Sequence, residues 1–385
     1  MSKTVESDNV AMEEGAPLLG PDELQKIRYE DLKTGHTSIL GKVLFVESNM
    51  TEQLVAIGFN YGWMRIIRFR VKDEDKKKWK PFSQLLCCEK MISAVWSEST
   101  GEQKLITMSD RGTLVVFARQ KDERWKMVKE IFWRVTTISP SLSDNRIAIL
   151  DDDNCLMFGE PLGDFLGKIP SGDGAEITCF DWGHRGELIY GHENGLVKVA
   201  YTEASADEPV SCPRVLSNFI PNKVVCIQCW KPVGAENGKS RPRLAIAYKN
   251  GIIQIRKDIK RKPIHENRYR FEPKFMRWSP DASSLAIVAL EKKIKAPGNM
   301  SIWFLSPRGE SLARFRFCKI HIIRGISWCP SGNMLHVAGD RYVKLLLVEP
   351  SFEGEISPEE SPSSSASNLT VVERVGNMFT RLFNV

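Results

Sequence analysis

In the body of this chain the apolar residues fall in short runs of about four to six, separated by turns that carry Gly, Asn or Asp. Runs of that length between turn residues predict strands. One arrangement keeps returning: an apolar strand that ends in Trp, a second apolar strand, a tight turn and a third apolar strand. Ala94-Val95-Trp96-Ser97 leads to 104–107, to Asp110-Arg111-Gly112 and to 113–117. Cys179-Phe180-Asp181-Trp182 leads to 187–190, to Glu193-Asn194-Gly195 and to 196–200. Residues 226–230, ending in Trp230, lead to 243–247, to Lys249-Asn250-Gly251 and to 252–255. Phe275-Met276-Arg277-Trp278-Ser279-Pro280 leads to 285–289 and, after an insertion, to 300–305. Ile326-Ser327-Trp328-Cys329-Pro330 leads to 334–338 and 342–348. Two weaker copies lie nearer the front. One runs through 41–46, 54–57, Asn60-Tyr61-Gly62 and 65–69. The other runs through 135–139, 146–150 and 156–158, with Ile138 in the place of Trp.

The aligned positions Trp96, Ile138, Trp182, Trp230, Trp278 and Trp328 fall 42 to 50 residues apart. A four-stranded sheet of about 40 residues cannot bury both faces alone, but sheets stacked radially cover one another, and closing the ring protects the edges. Trp at the end of an inner strand supplies a large buried area between neighbours. Gly or Asn in the hairpin turn supplies the positive φ that a tight turn needs. Seven copies predict an all-β, seven-bladed β-propeller of the WD-repeat kind over 36–350. A β-sandwich is the competing fold, and repeated Trp at a near-constant period argues against it.

The ends read differently. Residues 1–35 are polar, broken by Pro17 and Gly20, and predict a flexible N-terminal arm. Within it, Glu14 to Leu19 resembles an acidic dileucine sorting signal, which acts on membrane cargo. Residues 351–368 form a Ser- and Pro-rich linker. In 369–385, Leu369, Val372, Val375, Phe379 and Leu382 recur at helical spacing, with Glu373, Arg374 and Arg381 on the other side. This predicts a short amphipathic helix. It would dock on a partner groove or a membrane surface, or fold back onto the propeller.

Composition narrows the class. The 385 residues are 42% hydrophobic and 26% charged, in the range of globular domains. No apolar run reaches about 18 residues, the length of a membrane-spanning helix. Nine cysteines, odd in number and irregular in spacing, fit a reducing cytoplasmic setting. The net charge of +6, from 54 basic and 48 acidic residues, allows an acidic partner without predicting specific nucleic-acid binding.

No pattern of catalytic residues emerges, so the expectation is a non-enzymatic chain with no cofactor and no metal. Cys226 and Cys229 form one CxxC, with no second pair at zinc spacing, and three residues along a strand they point to opposite faces. Asp151-Asp152-Asp153 lacks the spaced ligands of a calcium loop and reads as a solvated turn. Nucleotide-binding and nucleophile-elbow motifs are absent from any strand-to-helix context. The six histidines are scattered. Two basic stretches are candidate partner-binding segments: Lys76, Lys77 and Lys78 beside Trp79, and Lys260, Arg261, Lys262, Arg268 and Arg270 around Tyr269. They would meet an acidic protein surface, a phosphoinositide or RNA, or stand as solvated loops. On the tail the candidates are Val372, Val375, Phe379 and Leu382.

Several phrases between 92 and 349 resemble one branch of WD-repeat proteins. They are Gln103-Lys104-Leu105 with Ser109-Asp110-Arg111-Gly112 and Arg124-Trp125; 188–191 with Asn194-Gly195; Leu285-Ala286-Ile287-Val288 with an insertion, then 300–305 and Pro307-Arg308-Gly309-Glu310; and Ile326-Ser327-Trp328 closing into 343–348. The branch includes the N-terminal propellers of the WD-repeat subunits of intraflagellar transport complex A and of the WD-repeat tubby-like protein. The resemblance implies a subunit of a multi-protein assembly at the cilium, or a substrate adaptor for a ubiquitin ligase. Those relatives continue into further domains, so a chain ending soon after its last repeat reads as a shortened relative or an incomplete chain. A peripheral phosphoinositide- or membrane-binding propeller is the remaining alternative, through the basic loops and the tail.

Overall fold

The computed structural model describes residues 26–28 and 41–347, apart from 52, 69–79, 88, 100–101, 142–145, 163–164, 173, 184–185, 203–212, 217–219, 231–242, 260, 292–299, 317–321 and 340–341. Every described element is a strand. Six blades are each made of four consecutive antiparallel strands, within 43–86, 91–132, 135–170, 177–215, 224–268 and 271–316. A further four-stranded sheet is composite. Three of its strands, Ile323–Trp328, Met334–Gly339 and Tyr342–Leu347, come from the end of the described chain, and Lys26–Arg28 supplies the fourth. Inner strands pack against the inner strands of both neighbours, and Ile323–Trp328 returns to Val43–Ser48, closing the ring into a β-propeller.

Burial follows this layering. The second strands Leu54–Phe59, Ile147–Asp151, Glu187–His192, Leu244–Tyr248 and Met334–Gly339 are buried at every position. Each lies under a neighbouring blade on both faces, so its sequence is a near-continuous apolar run rather than an alternation. The outer strands Trp125–Phe132 and Phe165–Pro170 are largely exposed. Each apolar cluster spans two adjacent blades, so the core is a set of wedges arranged around the axis.

Lys26–Arg28 corrects the reading of 1–35 as a wholly unstructured arm. These residues pair antiparallel with the last strand: Lys26 with Lys344, Ile27 with Val343 and Arg28 with Tyr342. Three residues carry no strand signature of their own, and only the open edge of the last sheet makes them one. The linker 351–368 and the tail 369–385, with the proposed helix, lie outside the described residues.

The register corrects two of the aligned positions. All seven inner strands carry a bulge near their start, after the first paired residue in six and after the third, Pro273, in the sixth blade. In four of them Trp stands five residues beyond the residue that precedes the bulge: Trp96, Trp182, Trp278 and Trp328. The same count gives Ser48, Pro140 and Cys229 in the other three. Ile138 is therefore two residues short of the anchor position, and Trp230 is one residue past it. A slip of one residue turns a side chain to the other face of the sheet. Trp230 accordingly joins Trp278 in the cluster between the fifth and sixth blades, and the cluster between the fourth and fifth contains no Trp.

Hydrogen bonds follow the same register. The indole N–H of Trp96 donates to Glu47 O (3.1 Å), that of Trp182 to Ser139 O (3.1 Å), that of Trp278 to Gln228 O (3.2 Å) and that of Trp328 to Arg277 O (3.1 Å). Each acceptor is the residue just before the anchor of the preceding blade. Trp230, on the opposite face, donates forward to Pro280 O (2.9 Å). Edge-to-face pairs back three anchors: Trp96 with Trp125, Phe158 with Trp182 and Phe304 with Trp328. Such pairs contribute about 0.5–1.5 kcal/mol beyond burial.

Candidate interaction surface

The residues just before the anchor positions are polar in six of the seven inner strands: Glu47, Ser139, Asp181, Gln228, Arg277 and Ser327, with Val95 the exception. Side chains from successive blades join into a belt near one end of the inner strands. Ser139 Oγ donates to Asp181 Oδ1 (2.9 Å) and Gln228 Nε2 donates to Asp181 Oδ2 (3.0 Å). The backbone N–H groups of Trp182 (2.9 Å) and Cys229 (2.8 Å) also donate to the Asp181 carboxylate. Arg277 Nη1 donates to Gln228 Oε1 (2.9 Å), and Arg277 Nη2 lies 4.0 Å from Glu47 Oε2. Ser327 Oγ accepts from Ser48 N (2.9 Å), and Ser48 Oγ pairs with His336 Nδ1 (2.9 Å). Burial holds the His336 imidazole down to about 4, so it is neutral at physiological pH. The belt is buried at Ser48, Ser139, Asp181, Ser327 and His336 and exposed at Arg277, and its multiple bonds fix the angle between blades.

The rigid ring presents two faces. Turns from inner to second strand, and from third to outer strand, lie on one face. Turns from second to third strand, and the links between blades, lie on the other. This separates the second basic stretch. Arg261 and Lys262 stand on the loop before the outer strand His265–Arg268, on the first face, whereas Arg270 follows that strand, on the second, with Arg268 at its end. All four are exposed, but they do not form one cluster. Lys260, Lys76, Lys77 and Lys78, and the tail residues Val372, Val375, Phe379 and Leu382, lie outside the described residues.

The loop bearing Arg261 is braced from below by a residue that the sequence reading passed over. Arg256, buried in the third strand of the fifth blade, donates from Nη1 to Arg261 O (3.0 Å) and from Nη2 to Gln254 Oε1 (3.2 Å). Gln254 Nε2 in turn donates to Glu266 Oε2 (2.8 Å). Burial lowers the Arg256 pKa, opposed by the neighbouring Tyr248 and Glu266. Arg261 itself pairs with Asp258 at 3.2 Å, leaving Lys262 as the other exposed cation of the described loop.

The turn segments behave as their chemistry requires. Gly112 (φ 80°) closes Ser109-Asp110-Arg111-Gly112, and Ser109 Oγ accepts from the N–H groups of Arg111 and Thr113. Gly309 (φ 84°) closes Pro307-Arg308-Gly309-Glu310, and Ser306 Oγ accepts from those of Arg308 and Glu310. These phrases carried the resemblance to the intraflagellar transport branch, yet their residues are those that any tight hairpin favours. In the acidic triplet, Asp151 is buried and accepts from Cys155 N (2.7 Å), while Asp152 pairs with Arg134 at 3.3 Å. Cys226 and Cys229 do face opposite sides of their strand, in different clusters. Burial pushes the Cys226 thiol up to about 11, an inert state. Among the described residues no three His, Cys, Asp or Glu side chains gather as a metal site, and no helix is long and apolar enough to cross a membrane.

No family model and no characterised protein matches the chain by sequence. Solved structures do match its fold. Raptor from Chaetomium thermophilum superposes with a TM-score of 0.62 at 13% identity, over 80% of this chain and 28% of that one. The C-terminal WD40 domain of Sif2 superposes with a TM-score of 0.56 at 11% identity, over 80% of this chain and 97% of that one. The chain thus shares the fold of WD40 propellers and spans just over a quarter of Raptor's length.

Proposed function

We propose that this chain is a non-enzymatic scaffold that holds other proteins on the loop faces of its propeller. The observation that carries the reading is the polar belt through Asp181 and Arg277, which locks the inner strands and leaves the loops as the variable part. A rigid ring that displays loops binds through the loops, so specificity comes from side chains such as Arg261 and Lys262 rather than from the fold. The WD40 domain of Sif2 supports the same class. The finer reading makes the chain a cytoplasmic subunit or relative of an intraflagellar transport A assembly at the ciliary base. Its support is the run of sequence phrases alone, and these are turn-forming.

The test is purification of tagged full-length protein from its native cells, beside the R261E/K262E double variant. A reproducible set of stoichiometric partners, reduced at least several-fold in the variant, is expected. A wild-type protein that elutes alone at monomer mass would sink the scaffold reading. Proximity labelling of the same cells addresses the finer reading: transport subunits among the labelled proteins sustain it, and their absence removes it while the scaffold stands.

A further inference from the structure

Large exposed apolar residues are unevenly spread over the described ring. Six of the twelve belong to two adjacent blades, on or beside their outer strands Trp125–Phe132 and Phe165–Pro170: Met127, Val128, Phe132, Trp133, Leu162 and Leu166. Phe132 is 72% exposed, Leu166 61% and Met127 58%. The two blades are bridged beside these strands where Lys129 Nζ donates to Leu162 O (3.1 Å) and where the Trp133 and Phe165 ring centroids stand 4.4 Å apart. Single exposed apolar side chains are ordinary, but a concentration on one part of a rim calls for a cover.

The sequence offers a second apolar face. At their spacing Leu369, Val372, Val375, Phe379 and Leu382 would line one side of a helix over 369–385. Seventeen residues with Gly376 among them make a marginal helix in water, so its formation requires a surface to pack on. The ring holds a concentrated apolar surface of that kind at the second and third blades.

We propose that residues 369–385 dock as an amphipathic helix on this rim, within the same molecule. Length permits it. Residues 348–368 span up to about 70 Å when extended. A domain of about 300 residues has a radius of gyration of about 20 Å, so the tether reaches any point of the rim. Tethering also selects this occupant over a free partner. A flexible linker holds its end at an effective concentration of roughly millimolar, so weak apolar docking suffices to keep the rim covered. The docked tail shields the second and third blades and leaves the braced loop of Arg261 and Lys262, on the fifth blade, open.

Photo-cross-linking of the full chain tests this. Benzoylphenylalanine replaces Phe132, and in a control it replaces Tyr61, which is 63% exposed on a first-blade turn. Cross-linked peptides are mapped by mass spectrometry, with and without the tail substitutions V372D and F379D. The expected result is intramolecular cross-links from position 132 into 369–385, reduced at least fivefold by the tail substitutions and rare from position 61. Amide exchange across 125–133 should quicken in V372D/F379D at unchanged Tm. Cross-links from position 132 that miss the tail, that join two molecules, or that form equally from position 61 overturn the proposal, as does exchange indifferent to the tail. These outcomes leave the scaffold reading untouched, because partner purification measures it separately.

Discussion

Asp181 is the most heavily committed side chain of the belt. Its two oxygens accept from Ser139, Gln228, Trp182 N and Cys229 N, across three successive blades. Asp181→Ala would strand these buried donors, at a cost of about 3 kcal/mol. Urea unfolding should show this as a lowered midpoint at unchanged slope, and a midpoint within error of wild type would refute the belt's role. His336 gives a pH signature. Its folded pKa, near 4, lies below the ordinary histidine value of 6.5, so the unfolded chain takes up the proton first. Its contribution is intact above about pH 6.5 and is lost as the pH falls towards 4. Between pH 7 and pH 5 the loss is about 2 kcal/mol. His336→Gln should remove that part of the pH dependence, and an unchanged difference between the two pH values would count against it. None of these belt residues stood out in the sequence, where Ser139, Asp181, Gln228 and Arg277 are scattered polar positions beside apolar ones.

At the scale of strands and turns, the indole hydrogen bonds and the turn glycines carry the pattern. Gly112 combines φ of 80° with backbone that leaves no room: a Cβ there would lie 2.5 Å from Arg134 C. Gly112→Ala should therefore destabilise by about 2 kcal/mol, read as a lowered Tm, and a neutral effect would mean that the turn relaxes freely. The turns, the apolar second strands and four of the anchors were legible in the sequence, because each has a local cause in turn chemistry or burial. The anchors of the first, third and fifth blades were not. Ser48, Pro140 and Cys229 carry no signal, while Ile138 and Trp230, near the last two, resemble one, and only the pairing partners fix the register.

For the whole molecule, the weak point is closure. The composite sheet is completed by three paired residues at the far end of the sequence, Lys26–Arg28, and its other edge packs within the ring. Removing 1–28 uncovers the Tyr342–Leu347 edge and should cost a few kcal/mol, at about 1 kcal/mol per hydrogen bond. A fall in Tm of a few degrees is expected, with a greater tendency to self-associate through the bared edge. A deletion with unchanged Tm and unchanged mass in solution would show that the ring closes without this strand.

The sequence alone determined the all-β class, the repeated blade and the places of the tight turns. These follow from local periodicity and from backbone conformations that Gly and Asn supply. The tertiary structure alone decided which residue anchors each blade, that Asp181 and Arg277 belong to one belt, and that Arg261 and Arg270 lie on opposite faces. It also decided that Lys26–Arg28 is a strand. Each of these depends on contacts between residues far apart along the chain, and closure of the ring sets those contacts where local composition does not.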